Sequence, residues 1–355
     1  MNIFSCTIGL FSLSVAATWL FCAPTPAASV AEVALLSGAD RQTKLEEGAK
    51  REGEVIWYTS MSAGDSGRVV ELFQKRYPFL KAQLIRLSSE RALQRYLTEF
   101  QAKRYLADIV DFDDGQMELL RRKETLQPYR TPVTAKFDRR FLHPQGYWTA
   151  GRVTMIVLGY NTRFVKRADA PKRYEDLLNP KWAGLMSLER EQTEWFLTLM
   201  ELWGEEKGRA FFQKLGGQNP NIRSGHTLMA QLIVAGEDPL SPNAYNHHFP
   251  REMRKGAPVA WVNLEPVVGK AQVSALAKNA PHPHAAMLFV DFLFSKDGGE
   301  KVVHEANRVA THPELVPDPP HLRDGFDFVL VDPVKYMEKI GRYEKLWREW
   351  VTKVQ

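Results

Sequence analysis

Cysteine is nearly absent from this chain. Only Cys6 and Cys22 occur in 355 residues, and both lie ahead of the first charged side chain, Glu32. The apolar run from about Ile8 to Cys22 is long enough for the core of an export signal and short for a membrane span. Ala27, Ala28 and Ala31 supply small residues for cleavage, so residues 1–31 read as a signal peptide. The chain that remains would hold no disulfide and no thiol nucleophile. No later apolar stretch is long enough to cross a bilayer. Blocks of one charge sign are missing as well: 47 Lys and Arg are interleaved with 42 Asp and Glu for a net charge of +5. Such a surface offers no concentrated basic face for nucleic acid. Gly-x-Ser-x-Gly, His-Glu-x-x-His and a phosphate loop ending in Gly-Lys-Ser or Gly-Lys-Thr are all absent, as are internal repeats and low-complexity segments. Those absences argue against an enzyme and against any bound cofactor.

What is present suits a two-domain α/β protein, since about 320 residues follow the leader. Lys44 to Arg51 reads as a short helix, and Val55-Ile-Trp-Tyr58 as a strand buried on both faces. The polar loop Thr59 to Ser66 follows, then a helix with Val69, Leu72, Phe73 and Tyr77 on one face, closed by Pro78. The pattern repeats with a strand near Ala82 to Leu87 and a helix carrying Leu93, Tyr96, Leu97 and Phe100. A third strand, Leu106 to Phe112, ends at Asp113-Asp114-Gly115 before a helix over Gln116 to Arg122. Alternation of this kind predicts a mainly parallel sheet that binds ligand at the carboxyl ends of its strands. A second series starts at Val153 to Leu158 and continues through the strand Leu185 to Leu188, a helix around Trp195 to Trp203 and another over Thr227 to Ala235. Two series imply two lobes.

The segments Gly53-Glu-Val-Ile-Trp-Tyr58, Leu106 to Gly115, Gly159-Tyr-Asn-Thr162, Tyr174 to Gly184, Gly256-Ala-Pro-Val259 and Ala280 to Ala286 with Phe292-Leu-Phe-Ser295 carry a family resemblance. They resemble the periplasmic solute-binding proteins of bacterial ABC importers, in the branch grouped with ferric-iron-binding proteins. The resemblance implies a two-lobed periplasmic-binding-protein type II fold, with two crossing hinge strands and a ligand cleft between the lobes. It places residues 45–155 and 265–310 in a first α/β lobe, 156–264 in a second, and 311–355 in a C-terminal tail packing on the second lobe. The implied partners are a small-molecule solute and a membrane permease, and the expected state is a periplasmic monomer.

Candidate contacts follow from the strand ends. Ser60 and Ser62 sit in a hydroxyl-rich loop entering a helix, which suits an anion or a hydroxylated solute; plain capping is the competing reading. Asp113 ends a strand, whereas its neighbour Asp114 reads better as a turn and cap. Arg152 precedes the crossing strand and is able to pair with a carboxylate or phosphate. Thr193 opens a helix, with Trp195 as a pocket floor or a core residue, and His226 opens the next. Iron-binding members of the family resemble one another in a pair of adjacent tyrosines, hard oxygen donors suited to a trivalent cation. Here Tyr245 is followed by Asn246. The resemblance therefore points away from iron and toward Tyr245, Asn246 and His247 as a neutral wall for a small polar organic solute. Arg152, Arg190 and Arg223 near strand ends leave room for an anionic one. The competing functions are ferric-iron binding and a ligand-sensing module for a membrane receptor.

Overall fold

The computed structural model describes residues 29–353, so the expected signal segment lies outside the described residues up to position 28. Ser29 caps α1 (Val30–Ala34): its hydroxyl accepts from the Glu32 N–H, and the Glu32 carboxylate accepts from the Ser29 N–H. Val30 and Val33 are buried. A cut at Ala31 would discard both the cap and Val30, whereas one at Ala27 or Ala28 spares them.

The first run of strands and helices forms where the alternating pattern predicts it. After α2 (Arg41–Glu52), Gly53 takes the left-handed conformation, φ 76°, that turns the chain into β1 (Glu54–Thr59). There follow α3 (Ala63–Arg76), β2 (Lys81–Arg86), α4 (Ser89–Gln101), β3 (Ile109–Asp113), α5 (Asp114–Arg122) and the short β4 (Leu126–Gln127). β1 pairs in parallel with both β2 and β3. The long strand β5 (Thr149–Asn161) then leaves the first lobe.

In the second lobe come β6 (Ser187–Glu189), α6 (Thr193–Trp203), α7 (Glu205–Gly217), β7 (Asn221–Arg223), α8 (His226–Ala235), β8 (Leu240–Tyr245), α9 (Phe249–Arg254) and β9 (Val259–Val262). The return strand is β10 (Val267–Ala277), leading to α10 (Pro283–Leu293), α11 (Gly299–Glu305) and β11 (Val309–Ala310). β5 and β10 pair antiparallel over Thr149 to Ile156. From Ile156 onward β5 pairs with β8 and β9, while the opposite edge of β10 pairs with β3 over Gln272 to Leu276. These are the two crossing strands of a two-lobed fold.

Two cores result. One gathers Trp57, Phe73, Phe112, Phe289 and Phe292 beneath the first lobe's sheet and α10. The other is aromatic, with Phe196 and Phe212 4.5 Å apart at 66° and Trp195 and Phe212 5.5 Å apart at 88°. Each such edge-on pair adds about 0.5–1.5 kcal/mol beyond the area it buries.

The tail departs from expectation. Trp347, Trp350 and Val351 do enter the second core, through α12 (Pro333–Trp347) and the turn after it. But β12 (Phe328–Leu330) pairs with β10, Leu322 and Phe328 join the first core, and Tyr336 lies against Gly115 of α5. The segment after residue 311 therefore spans both lobes. Its short strand finds a partner only because β10 presents an edge at Val267 to Gly269, which sequence spacing does not reveal.

Candidate functional site

Strand ends from both lobes converge on one cavity of about 550 Å3. The first lobe contributes Asp113, at the end of β3, and Asp114, which opens α5. The second contributes Glu189 from β6, Thr193 and Glu194 from α6, His226 from α8 and Tyr245 from β8. Lys270, on the crossing strand β10, lies between them, and α12 supplies Tyr336.

Lys270 organises the electrostatics. Its Nζ is 2.6 Å from Glu194 Oε1 of the second lobe and 3.3 Å from Asp113 Oδ2 of the first. Burial alone would lower the ammonium's pKa, but Asp113 and then Glu194 hold it charged, well above its usual range. Burial likewise pushes Asp113 up. Lys270, together with a 2.8 Å hydrogen bond donated by Gln272 Nε2, more than offsets that and keeps Asp113 ionised.

The adjacent Asp114 behaves oppositely. Burial raises it, Lys270 offsets only part of the rise and Asp113 adds to it, so its pKa stands near about 8. Burial also raises Glu189, although its carboxylate accepts from the N–H groups of Gly225 and Glu191 at 3.1 and 2.6 Å. The His226 and Tyr245 rings stack with centroids 3.5 Å apart at 16°. Burial first, then Lys270, keeps the imidazole neutral, and burial raises the phenol so that it stays protonated. Gln116, Gln192, His226 and Thr352 line the same cavity, and each leaves a buried nitrogen or oxygen without a hydrogen-bond partner.

Of the residues singled out from sequence, Asp113, Thr193, His226 and Tyr245 line this cavity. The other six do not. Arg152 is 3% exposed and faces Asp111 at 3.2 and 3.4 Å, while Asp111 also accepts from Thr59 and Ser274. Asp111, with Arg152 as its counter-ion, ties four strands together. Ser62 caps α3 by accepting from the Asp65 N–H, and the Ser60 N–H donates to the Asp111 carbonyl. Trp195 is fully buried, its Nε1 donating to the Tyr174 hydroxyl at 3.2 Å, and so is core rather than floor.

Asn246 is also fully buried. Its Oδ1 accepts from the Met155 N–H and its Nδ2 donates to the Leu322 carbonyl, so it pins β5 to the tail. His247 is half-buried beside His248, with ring centroids 4.3 Å apart. Arg223 is held by Asp238 at 2.6 and 2.8 Å, and Arg190 is exposed at the rim. None of the three arginines that left room for an anion reaches the cavity floor.

Sequence reasoning missed Lys270 and Glu194 and set Asp114 aside as a cap. Lys270 did carry a signal, being a lone cation inside the otherwise uncharged strand Val267 to Ala277. Among the described residues no three His, Cys, Asp or Glu side chains meet in an arrangement able to hold a metal ion, and no helix is long and apolar enough to cross a membrane.

Known proteins match this architecture. Residues 105–324, more than half of the chain, match the family described as bacterial extracellular solute-binding protein. The chain is 24% identical over 313 residues to iron uptake protein A2 of Synechocystis, covering 79% of this chain and 88% of that one. Among solved structures, a Trichodesmium protein in complex with iron and citrate superposes with TM-score 0.72 at 18% identity, over 84% of this chain and all of the other. AfuA from Actinobacillus pleuropneumoniae with fructose-6-phosphate bound gives TM-score 0.70 at 21% identity, over 85% of this chain and all of AfuA. At such identities the structures establish the shared two-lobed fold and nothing of the ligand. The chain thus belongs to the bacterial extracellular solute-binding protein family and is a non-enzymatic, periplasmic solute-binding component of an ABC importer.

Proposed function

We propose that this protein captures a small polar organic solute in the cavity between Asp113–Asp114 and Glu189–Thr193, and that closure of the lobes around the solute creates the form a membrane permease recognises. The observation that carries this reading is the cavity itself. Its walls come from both lobes, its volume of about 550 Å3 exceeds the need of a bare ion, and four of its residues retain unpaired buried polar atoms. A solute touching both walls favours the closed form through contacts that an open form lacks. Lys270 supports closure from the hinge, since its two ion pairs join Asp113 of one lobe to Glu194 of the other.

Ferric iron is the second reading, favoured by the iron uptake protein of Synechocystis among the relatives and by the oxygen donors Tyr245, Asp113 and Glu189. Against it, Asn246 follows Tyr245 and is already committed to Met155 and Leu322. The deciding experiment is a thermal-shift screen of the purified protein against amines, sugar phosphates, organic acids and ferric citrate, because a ligand that prefers the native state raises its melting temperature. The expected result is a rise with an organic solute. A rise with ferric citrate alone, abolished by Tyr245→Phe and not reproduced by citrate, would establish iron instead.

A further inference from the structure

The charges of the cavity divide into rim and floor. At the rim Arg190 and Arg348 balance Glu191 and Glu344, all four exposed. The floor holds Asp113, Asp114, Glu189 and Glu194 against the single ammonium of Lys270. Lys270 is taken by Asp113 and Glu194. That leaves Asp114 of the first lobe and Glu189 of the second, each 5% exposed, with no Lys or Arg paired to either. Asp114 carries no counter-ion and Glu189 is satisfied only by two backbone N–H groups, so one carboxyl able to take a cationic partner stands on each side of the same cavity.

Two further features of the walls suit the same kind of guest. The Tyr245–His226 stack presents aromatic surface, which attracts a cation over its face. Gln116 lines the cavity with a buried amide oxygen that has no partner and is able to accept an N–H from an ammonium or guanidinium. The volume accommodates an organic molecule, and the donor set does not converge as a metal site does.

We infer that the solute is an organic cation of the amine or guanidine class, its positive centre neutralised by Asp114 and Glu189 beside the Tyr245–His226 stack. This rests on the reading of the cavity as the solute site. It carries a protonic signature. Asp114, raised by burial to about 8, sits near Asp113, Lys270, Glu194 and the Tyr336 phenol, and on its other side borders a smaller cavity with Arg140, His143 and Asp332. A bound cation draws its pKa down, so binding near pH 7 releases a proton and tightens as pH rises toward 8. Glu189, also raised by burial, supplies the second carboxyl from the opposite wall.

The test uses the full chain after leader removal and three probe classes of similar size: glucosamine, agmatine and arginine as cations, glucose as a neutral solute, and fructose 6-phosphate and citrate as anions. Thermal shift and titration calorimetry in buffers of different ionisation heat are the readouts. At least one cation is expected to stabilise and bind with proton release at pH 7. In Asp114→Asn its affinity falls roughly tenfold or more and the release disappears. The variant's unliganded melting temperature, unchanged or raised, verifies that it folds. Stabilisation by glucose or an anion but by no cation would overturn the inference and leave solute binding intact. Silence from every class would count against both. Unaltered cation binding in Asp114→Asn and Glu189→Gln, without proton release, would remove the assignment to these carboxylates.

Discussion

Asp113 and Asp114 are chain neighbours on the same cavity wall, yet they are driven in opposite directions. Asp113 receives Lys270 and Gln272 and stays ionised; Asp114 receives only the N–H of Gly115, at 2.8 Å, from the protein around it. The contrast has a consequence for stability. Asp114 titrates near its ordinary value of 3.8 in the unfolded chain and at about 8 in the folded one. Between those values the folded state holds the proton more tightly, so the stability present at low pH is lost as pH rises toward 8. Asp114→Asn removes that loss. The variant is expected to melt higher than the native protein at pH 8, with the difference shrinking toward pH 4, as measured by thermal unfolding across that range. A lower melting temperature at pH 8 would show that the carboxylate is stabilising as an anion. At this scale the sequence was legible where position alone decides: Asp113, Thr193, His226 and Tyr245 sit at strand ends or helix starts, and those ends line the cavity. Arg152 was misread because its partner Asp111 lies on another strand, 41 residues away.

Among the elements, α12 shows how the tail shapes the site. Its Trp347 is 1% exposed, donates Nε1–H to the Arg190 carbonyl at 2.6 Å and packs 5.4 Å from the Phe196 ring. Lys339 and Tyr343 both reach Glu201 of α6, at 2.8 and 2.9 Å. At its other end α12 crosses to the first lobe, where a methyl group added to Gly115 would come within 2.8 Å of the Tyr336 ring. The helix is thus rooted in one lobe and touches the other beside the cavity. Trp347→Ala is expected to destabilise the protein by about 3–5 kcal/mol through the lost contacts and the void left behind. Chemical denaturation measures it, and a change below about 1 kcal/mol would mean that α12 is only loosely seated. Its double attachment was not readable from the sequence, because that depends on where β10 and α5 end up in space.

For the molecule as a whole, alternation of strands and helices was enough to indicate two α/β lobes, since burial on both faces of a parallel sheet leaves continuous apolar runs such as Val55 to Tyr58. The resemblance supplied the connection, and β5 and β10 do cross between the lobes as it implied. What remained hidden was the sign of the cavity's charge. Arginines near strand ends left room for an anion, yet Arg152 and Arg223 are held by buried aspartates, Arg190 stays exposed at the rim, and the floor is left acidic. Overall charge describes the surface, whereas selectivity resides in the few groups that remain unpaired inside. The measurement bearing most directly on capture by closure is small-angle scattering of the protein with and without the probe that raises its melting temperature. A smaller radius of gyration on saturation is expected, and to a lesser degree in Lys270→Gln, which lacks the ionic link between the lobes. An unchanged radius despite saturating binding would contradict closure as the means of capture.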